Sequence, residues 1–258
     1  PLEDYEFLIS NLKGIEIKDA NTIMRKVRFV KSEAEIAKIR HICQITSQGF
    51  IDLEDFLRVG DSEQENCRRF KQHLLTLGVD DSPYIVSGSG QVGYGSIIMG
   101  PTDKIIEEGD LFIIDTGSVF DSYYCDFDRN YAFGSISEAA KKAYRVTYEA
   151  TEAGFNAAQV GNTTSDIFNA MNDVLQKGGA LGNTVGRLGH GLGMQLTEWP
   201  SNTATDNTIL EPGVVLTLEP GMAFLPGKEM VHEENIVITE DGPEWLSIRA
   251  ADELPIIQ

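Results

Sequence analysis

Cysteine is scarce in this sequence. The three present in 258 residues, Cys43, Cys67 and Cys125, are widely and irregularly spaced, and no CxxC pair occurs. An odd, scattered set argues against a disulfide framework and fits small buried thiols in a reducing cytoplasm. No apolar run approaches the ~20 residues of a membrane-crossing helix, so no membrane partner is expected. A basic and apolar leader is also missing, so no signal peptide is expected. The chain opens at Pro1 rather than Met, and its true N-terminus is expected to lie upstream. Positive charge is the other shortage: 21 Lys and Arg face 40 Asp and Glu, a formal net charge of −19. That balance disfavours nucleic acid, whose phosphates reward basic side chains, and it favours solubility and the attraction of cations. A dinucleotide loop is lacking too, because "GSGQVGYG" (88–95) does not run from a strand into a helix.

What is present points to a globular α+β chain. Hydrophobic residues make up 41% and the 25 glycines are scattered, enough for one large core or two modest domains. Residues 1–31 predict a helix, a short strand at "GIEIKDA" and a second short helix. From Ser32, the apolar positions Ile36, Ile39, Cys43, Thr46, Phe50, Leu53 and Leu57 recur at helical spacing and predict one long helix. Gly60 marks a stop, and Ser62 with Glu65 forms a capping-box signature for a helix over about 63–77. The phrase "TSQGF…VGDS" from Thr46 returns as "TEAGF…VGNT" from Thr151. Each is a long helix, a Val-Gly-Asx-Ser/Thr turn and a second helix, followed by a Gly-rich stretch of strands, which predicts two related halves. Strands are expected within 84–89, 111–120, 125–134, 214–224, 230–239 and 244–248.

Several ionisable residues occupy places where burial would be costly. Asp115 follows Leu111–Ile114, Asp126 lies in "YYCDFDRN", Glu219 follows "VVLTL", and Glu233 precedes "IVIT". His190 stands between Gly189 and Gly191 in "GRLGHGLG". A charge inside an apolar strand needs compensation. Four carboxylates with one imidazole are best compensated by two divalent cations, and an oxygen-rich set without thiolate suits Mn, Fe, Co or Zn. The glycines beside His190 are expected to let the backbone approach such an ion.

With these residues in view, the chain resembles the pita-bread metallohydrolase family of methionine aminopeptidase, Xaa-Pro aminopeptidase, prolidase and creatinase. The resemblance runs from "IMRKVRFVKSEAEIAKIR" (23–40) to about Leu246. It implies two pseudo-symmetric halves of helix pair plus strands around a central curved antiparallel sheet. It also implies a catalytic domain over 31–258, with 1–30 the tail of a preceding domain and linker, and a homodimer. "GDLFIIDTGS", "YYCDFDRN", "GHGLG", "PGVVLTLEPGM" and "HEENIVITEDG" resemble the family's ligand segments. By resemblance Asp126 and Glu233 bridge two metals, Asp115 completes one, and His190 and Glu219 complete the other. Glu219 would also move protons while a bridging hydroxide attacks an amide carbonyl. Glu234 is the alternative to Glu233, and strand alternation would turn one inward and the other outward.

The sequence departs from the peptidase pattern outside this set. Where peptidase relatives keep histidines, this chain has "GYGSIIMG" around Ser96, Thr197 after the metal histidine, and Gly186 before it. Val231 stands in place of an arginine often found there, and Asp128 in place of the usual Thr or Ser before Arg129. Asp128 is expected either to pair with Arg129 or to lie near the metals. Weak candidates for substrate contact are Tyr94, Thr197 and His232, with Tyr123, Tyr124 and Arg187 behind them. His41 and His73 are expected to be exposed on helices. Three functions follow: a dinuclear Xaa-Pro aminopeptidase or dipeptidase acting on a small peptide, the same scaffold on a non-peptide small molecule such as a creatine-type or osmolyte-like compound, or a non-catalytic peptide-binding module.

Overall fold

The computed structural model describes residues 1–182 and 186–258. Helices α1 (Leu2–Asn11) and α2 (Asn21–Phe29) come first. The stretch between them forms no strand: Ile15 and Ile17 are exposed, and no neighbouring strand pairs with them. Helix α3 (Glu33–Leu53) starts where Ser32 and Glu35 cap one another's backbone, and α4 (Glu63–Leu77) where Ser62 and Glu65 do the same. The apolar stripe of α3 runs past the helix itself, since Leu57 is fully buried four residues beyond its end. Strands β1 (Val86–Gln91), β2 (Asp110–Thr116), β3 (Val119–Phe120), β4 (Tyr123–Tyr124) and β5 (Phe127–Phe133) follow.

The second half repeats the plan. Helix α5 (Glu138–Ala157) is capped by Ser137, and α6 (Thr164–Gly178) by a reciprocal Thr163–Asp166 pair. Both α4 and α6 end on a left-handed glycine, Gly78 and Gly179. Then come β6 (His190–Gly191), β7 (Glu198–Ser201), β8 (Val215–Leu218), β9 (Gly221–Leu225), β10 (Lys228–Val231), β11 (Glu234–Thr239), β12 (Gly242–Trp245) and β13 (Ile256–Ile257). Three of the expected strands are interrupted, at Gly117–Ser118, at Glu219–Pro220 and at His232–Glu233. The last two interruptions each carry a candidate site glutamate.

The strands form open sheets. One has the order β1-β2-β5-β13 and the other β12-β11-β8-β6-β7, with two-stranded ribbons β9/β10 and β3/β4. Among the described residues, pairing is antiparallel except where β13 lies parallel to β5. Side-chain alternation splits the core into two clusters. Leu111 and Ile113 of β2 join Ala150, Ile167 and Met171 of α5 and α6. Phe112 and Ile114 join Ile39, Phe50, Phe70 and Leu74 of α3 and α4. Asp115 and Asp128 thus continue the face of Leu111, Ile113 and Ala132, which the second helix pair shares.

All three cysteines are free and buried, and burial pushes the Cys67 thiol up to about 12. His41 is exposed. His73 is not: it is half-buried, with Nε2 2.7 Å from Asp52 Oδ2. The carboxylate of α3 draws the imidazole of α4 into the helix–helix seam. No helix among the described residues is long and apolar enough to cross a membrane.

Candidate metal centre

Strand register gathers the carboxylates. Asp115 lies directly opposite Asp128 across the β2/β5 ladder, and Asp126 stands just before β5. One ligand atom from each of Asp126, His190 and Glu233 lies within 4.8 Å of the others, and the same holds for Asp115, Asp128 and Glu233. The two groups share Glu233.

His190 is held in one tautomer. Its Nδ1 is 2.9 Å from the Gly191 carbonyl, which can only accept, so Nδ1 carries the proton. The lone pair of Nε2 then faces Asp126 Oδ2 at 3.4 Å and Glu233 Oε1 at 3.8 Å. A lone pair aimed at carboxylates is repulsive unless a cation lies between them. The flanking glycines have a role other than the one expected. Gly189 has φ +122°, and a Cβ there would lie 2.2 Å from the Thr217 carbonyl oxygen. A Cβ on Gly191 would meet the Trp199 carbonyl oxygen at 2.5 Å. The close approach is therefore between strands: β6 is wedged between β7 and β8.

Glu233 and Glu234 separate as alternation requires. Glu233 joins the carboxylate groups, while Glu234 accepts from Arg129 Nη2 at 2.9 Å and stands 3.3 Å from His232 Nε2. Burial alone would raise Glu234, but Arg129 and His232 pull it down to about 2. Arg129 Nη1 also donates to the Glu233 carbonyl at 2.6 Å, which anchors the interruption between β10 and β11. Arg129 is thus committed to Glu234 and not to the Asp128 carboxylate.

The remaining carboxylates repel one another. Burial, then the charges of Asp128, Asp126 and Glu219, raise Asp115 well above the usual range. Burial and its neighbours raise Asp128 and Glu233 in the same sense. Glu219 rises to about 7 through burial, against the pull of His190 and with Asp126 adding to the rise. Its Oε2 lies 3.9 Å from Arg187 Nε. Buried oxygens of Asp128, Glu219 and Glu233 have no hydrogen-bond partner among the described residues. Orphaned acceptors around one imidazole nitrogen fit divalent cations, whose charge removes the cost of burying them together.

Two residues at the centre escape a search for misplaced charge. Tyr84 hydroxyl donates to Asp126 Oδ1 at 2.5 Å and lies 3.2 Å from Asp115 Oδ1. Asn235 bonds both backbone polar groups of Asp126. Both are neutral, and only their tertiary contacts mark them. The substrate-contact candidates fare unevenly. Tyr94 is 1% exposed, and its hydroxyl is taken up by Asn130 Oδ1 and the Val231 amide. His232 is fully buried between Tyr144, Tyr148 and Glu234. Both side chains are buried, although Tyr94 also borders a cavity of about 360 Å³ with Ser87 and Ser96. Tyr123 donates to Glu35. Thr197 is exposed and opens on a cavity of about 460 Å³ between α2 and β7.

The structure is similar throughout to solved peptidases. X-Pro aminopeptidase from Thermotoga maritima aligns with a TM-score of 0.88 at 25% identity, covering 100% of this chain and 73% of that one. Prolidase from Pyrococcus furiosus aligns at 0.87 and 26%, covering 95% and 73%. Doubled helix pairs and open sheets around a carboxylate–imidazole cluster define a pita-bread metallohydrolase. In sequence the chain is 30% identical over 241 residues to Xaa-Pro dipeptidase of Pyrococcus horikoshii, covering 92% of this chain and 67% of that protein. Residues 37–241 match the model of metallopeptidase family M24, and the chain belongs to that family.

Proposed function

We propose that this chain hydrolyses the amide bond of Xaa-Pro dipeptides or short Xaa-Pro peptides, using two divalent cations held by Asp115, Asp126, His190, Glu219 and Glu233. The observation that carries the proposal is the pair of ligand groups sharing Glu233, an arrangement suited to two adjoining ions. The names of the similar proteins, Xaa-Pro dipeptidase and prolidase, supply the substrate class. When bound, such ions supply activated water and polarise the scissile carbonyl.

The chain's own residues do the rest. Tyr84 orients Asp115 and Asp126 through one hydroxyl. The Nδ1 bond to Gly191 keeps His190 Nε2 aimed inward. Glu219, a buried carboxylate beside His190 and Asp126, is the group placed to take a proton from water and return it to the leaving nitrogen. Arg187, beside Glu219, offers a positive charge to a substrate carboxylate. The test is hydrolysis of Xaa-Pro dipeptides and tripeptides by chelator-treated protein reloaded with Mn²⁺, Co²⁺, Fe²⁺ or Zn²⁺. Metal-loaded protein that cleaves none of them sinks the peptidase reading.

A second reading is favoured by Ser96, Gly186 and Thr197, which put no imidazole where peptidase relatives hold one. It keeps the metal centre and exchanges the peptide for a non-peptide amide or amidine, and hydrolysis of creatine-type compounds separates the two.

A further inference from the structure

We propose that Asp128 is an additional metal ligand, completing an all-oxygen cation site with Asp115 and Glu233 beside the mixed site of Asp126, His190 and Glu233. The inference rests on the metal-centre reading above and adds a ligand outside the five carried over by resemblance.

Four observations converge on Asp128. It is 0% exposed. Neither Oδ1 nor Oδ2 has a hydrogen-bond partner among the described residues. An oxygen of it lies within 4.8 Å of ligand oxygens from both Asp115 and Glu233. The adjacent Arg129 is spent on Glu234 and on the Glu233 and Asp128 carbonyls rather than on the Asp128 carboxylate. A buried carboxylate without donors needs a cation or a proton. Cross-strand placement sharpens the need, because Asp115 and Asp128 are directly opposed in the ladder, where like charges destabilise a sheet.

The donor sets of the two sites then differ in kind. Asp115, Asp128 and Glu233 offer only carboxylate oxygen, the chemistry of a hard cation such as Mn²⁺ or Mg²⁺. Asp126, His190 and Glu233 include imidazole, which also suits Zn²⁺, Co²⁺ or Fe²⁺. With Asp128 the centre carries five carboxylates, so two divalent ions leave it with one negative charge.

The experiment is a Mn²⁺ titration of chelator-treated wild type, Asp128→Asn and Asp128→Ser by calorimetry, with Mn²⁺ electron paramagnetic resonance and thermal melting. Wild type should bind two Mn²⁺ per chain. In both variants one of the two sites should weaken by at least about tenfold, the signal of a coupled pair should give way to that of a single ion, and the melting temperature gained on adding Mn²⁺ should shrink. The metal-free variants should melt no lower than wild type, since a like-charge pair has been removed. Serine serves as the second variant should asparagine not fold. Unchanged Mn²⁺ stoichiometry and affinity in a folded variant overturns the proposal, and Asp115 and Asp128 then merely share a proton. Wild type that binds no Mn²⁺ overturns the metal-centre reading as well, which distinguishes the two failures.

Discussion

Asn235 and Asp126 clasp one another. Asn235 Nδ2 donates to the Asp126 carbonyl at 2.6 Å, and the Asp126 amide donates back to Asn235 Oδ1 at 3.0 Å. The clasp joins β11 to the start of β5, so it ties the two sheets together at a candidate ligand. Asn235→Ala would leave two buried backbone groups unpaired, and about 3 kcal/mol of stability should be lost. Urea denaturation measures it, and a loss under about 1 kcal/mol would show that the clasp is dispensable.

Tyr84→Phe removes one hydroxyl and little volume. Asp115 and Asp126 lose their shared donor. The folded variant should bind Mn²⁺ roughly 10–100-fold more weakly, in the range of lost outer-shell partners. Equal affinity in the two proteins would show that the tyrosine does not orient these carboxylates.

Glu219→Gln should retain the wild-type circular dichroism spectrum and lose at least about a hundredfold in kcat on an Xaa-Pro dipeptide at saturating metal. Near-normal turnover would remove Glu219 from proton transfer.

The metal-free protein should become less stable as pH rises through neutrality. Glu219 is raised from its ordinary 4.5 to about 7, and Asp115, Asp128 and Glu233 are raised too. A carboxylate raised in the fold holds its proton more tightly there, so its contribution is full below the unfolded value and is lost as pH rises through the folded one. Glu234 is lowered to about 2, so its contribution is lost only at acid pH. The melting temperature of chelator-treated protein should therefore fall between about pH 5 and about pH 8, and less steeply for Glu219→Gln. A rising melting temperature across that window contradicts the assignment.

Gly189→Ala forces a Cβ against the Thr217 carbonyl at a positive φ. It should cost about 3 kcal/mol or more, combining backbone strain with a steric clash. Wild-type stability on thermal melting would mean that β6 can shift away from β8.

The helix pairs were legible because their signals are local. Ser32 with Glu35 and Ser62 with Glu65 announce helix starts whatever lies around them, and the structure forms both caps. The strand expected at "GIEIKDA" failed for the opposite reason, since a strand depends on a partner that a short segment cannot specify. His73 lies half-buried rather than exposed because Asp52, on the neighbouring helix α3, draws it inward, a contact that no local signal in α4 carries.

The sequence by itself determined the two-half α+β plan and drew attention to Asp115, Asp126, His190, Glu219 and Glu233, because charges inside apolar runs stand out one residue at a time. Only tertiary structure decided which atoms meet. It turned Glu233 toward the carboxylates and Glu234 toward Arg129, buried Tyr94 and His232 in the core, and brought in Tyr84 and Asn235. It also left Asp128 without the arginine beside it in sequence. The reason is one of range. Capping and periodicity act within a few residues, whereas strand register sets Asp115 opposite Asp128, and the packing of one sheet on the other brings Glu233 to them from the far half of the chain.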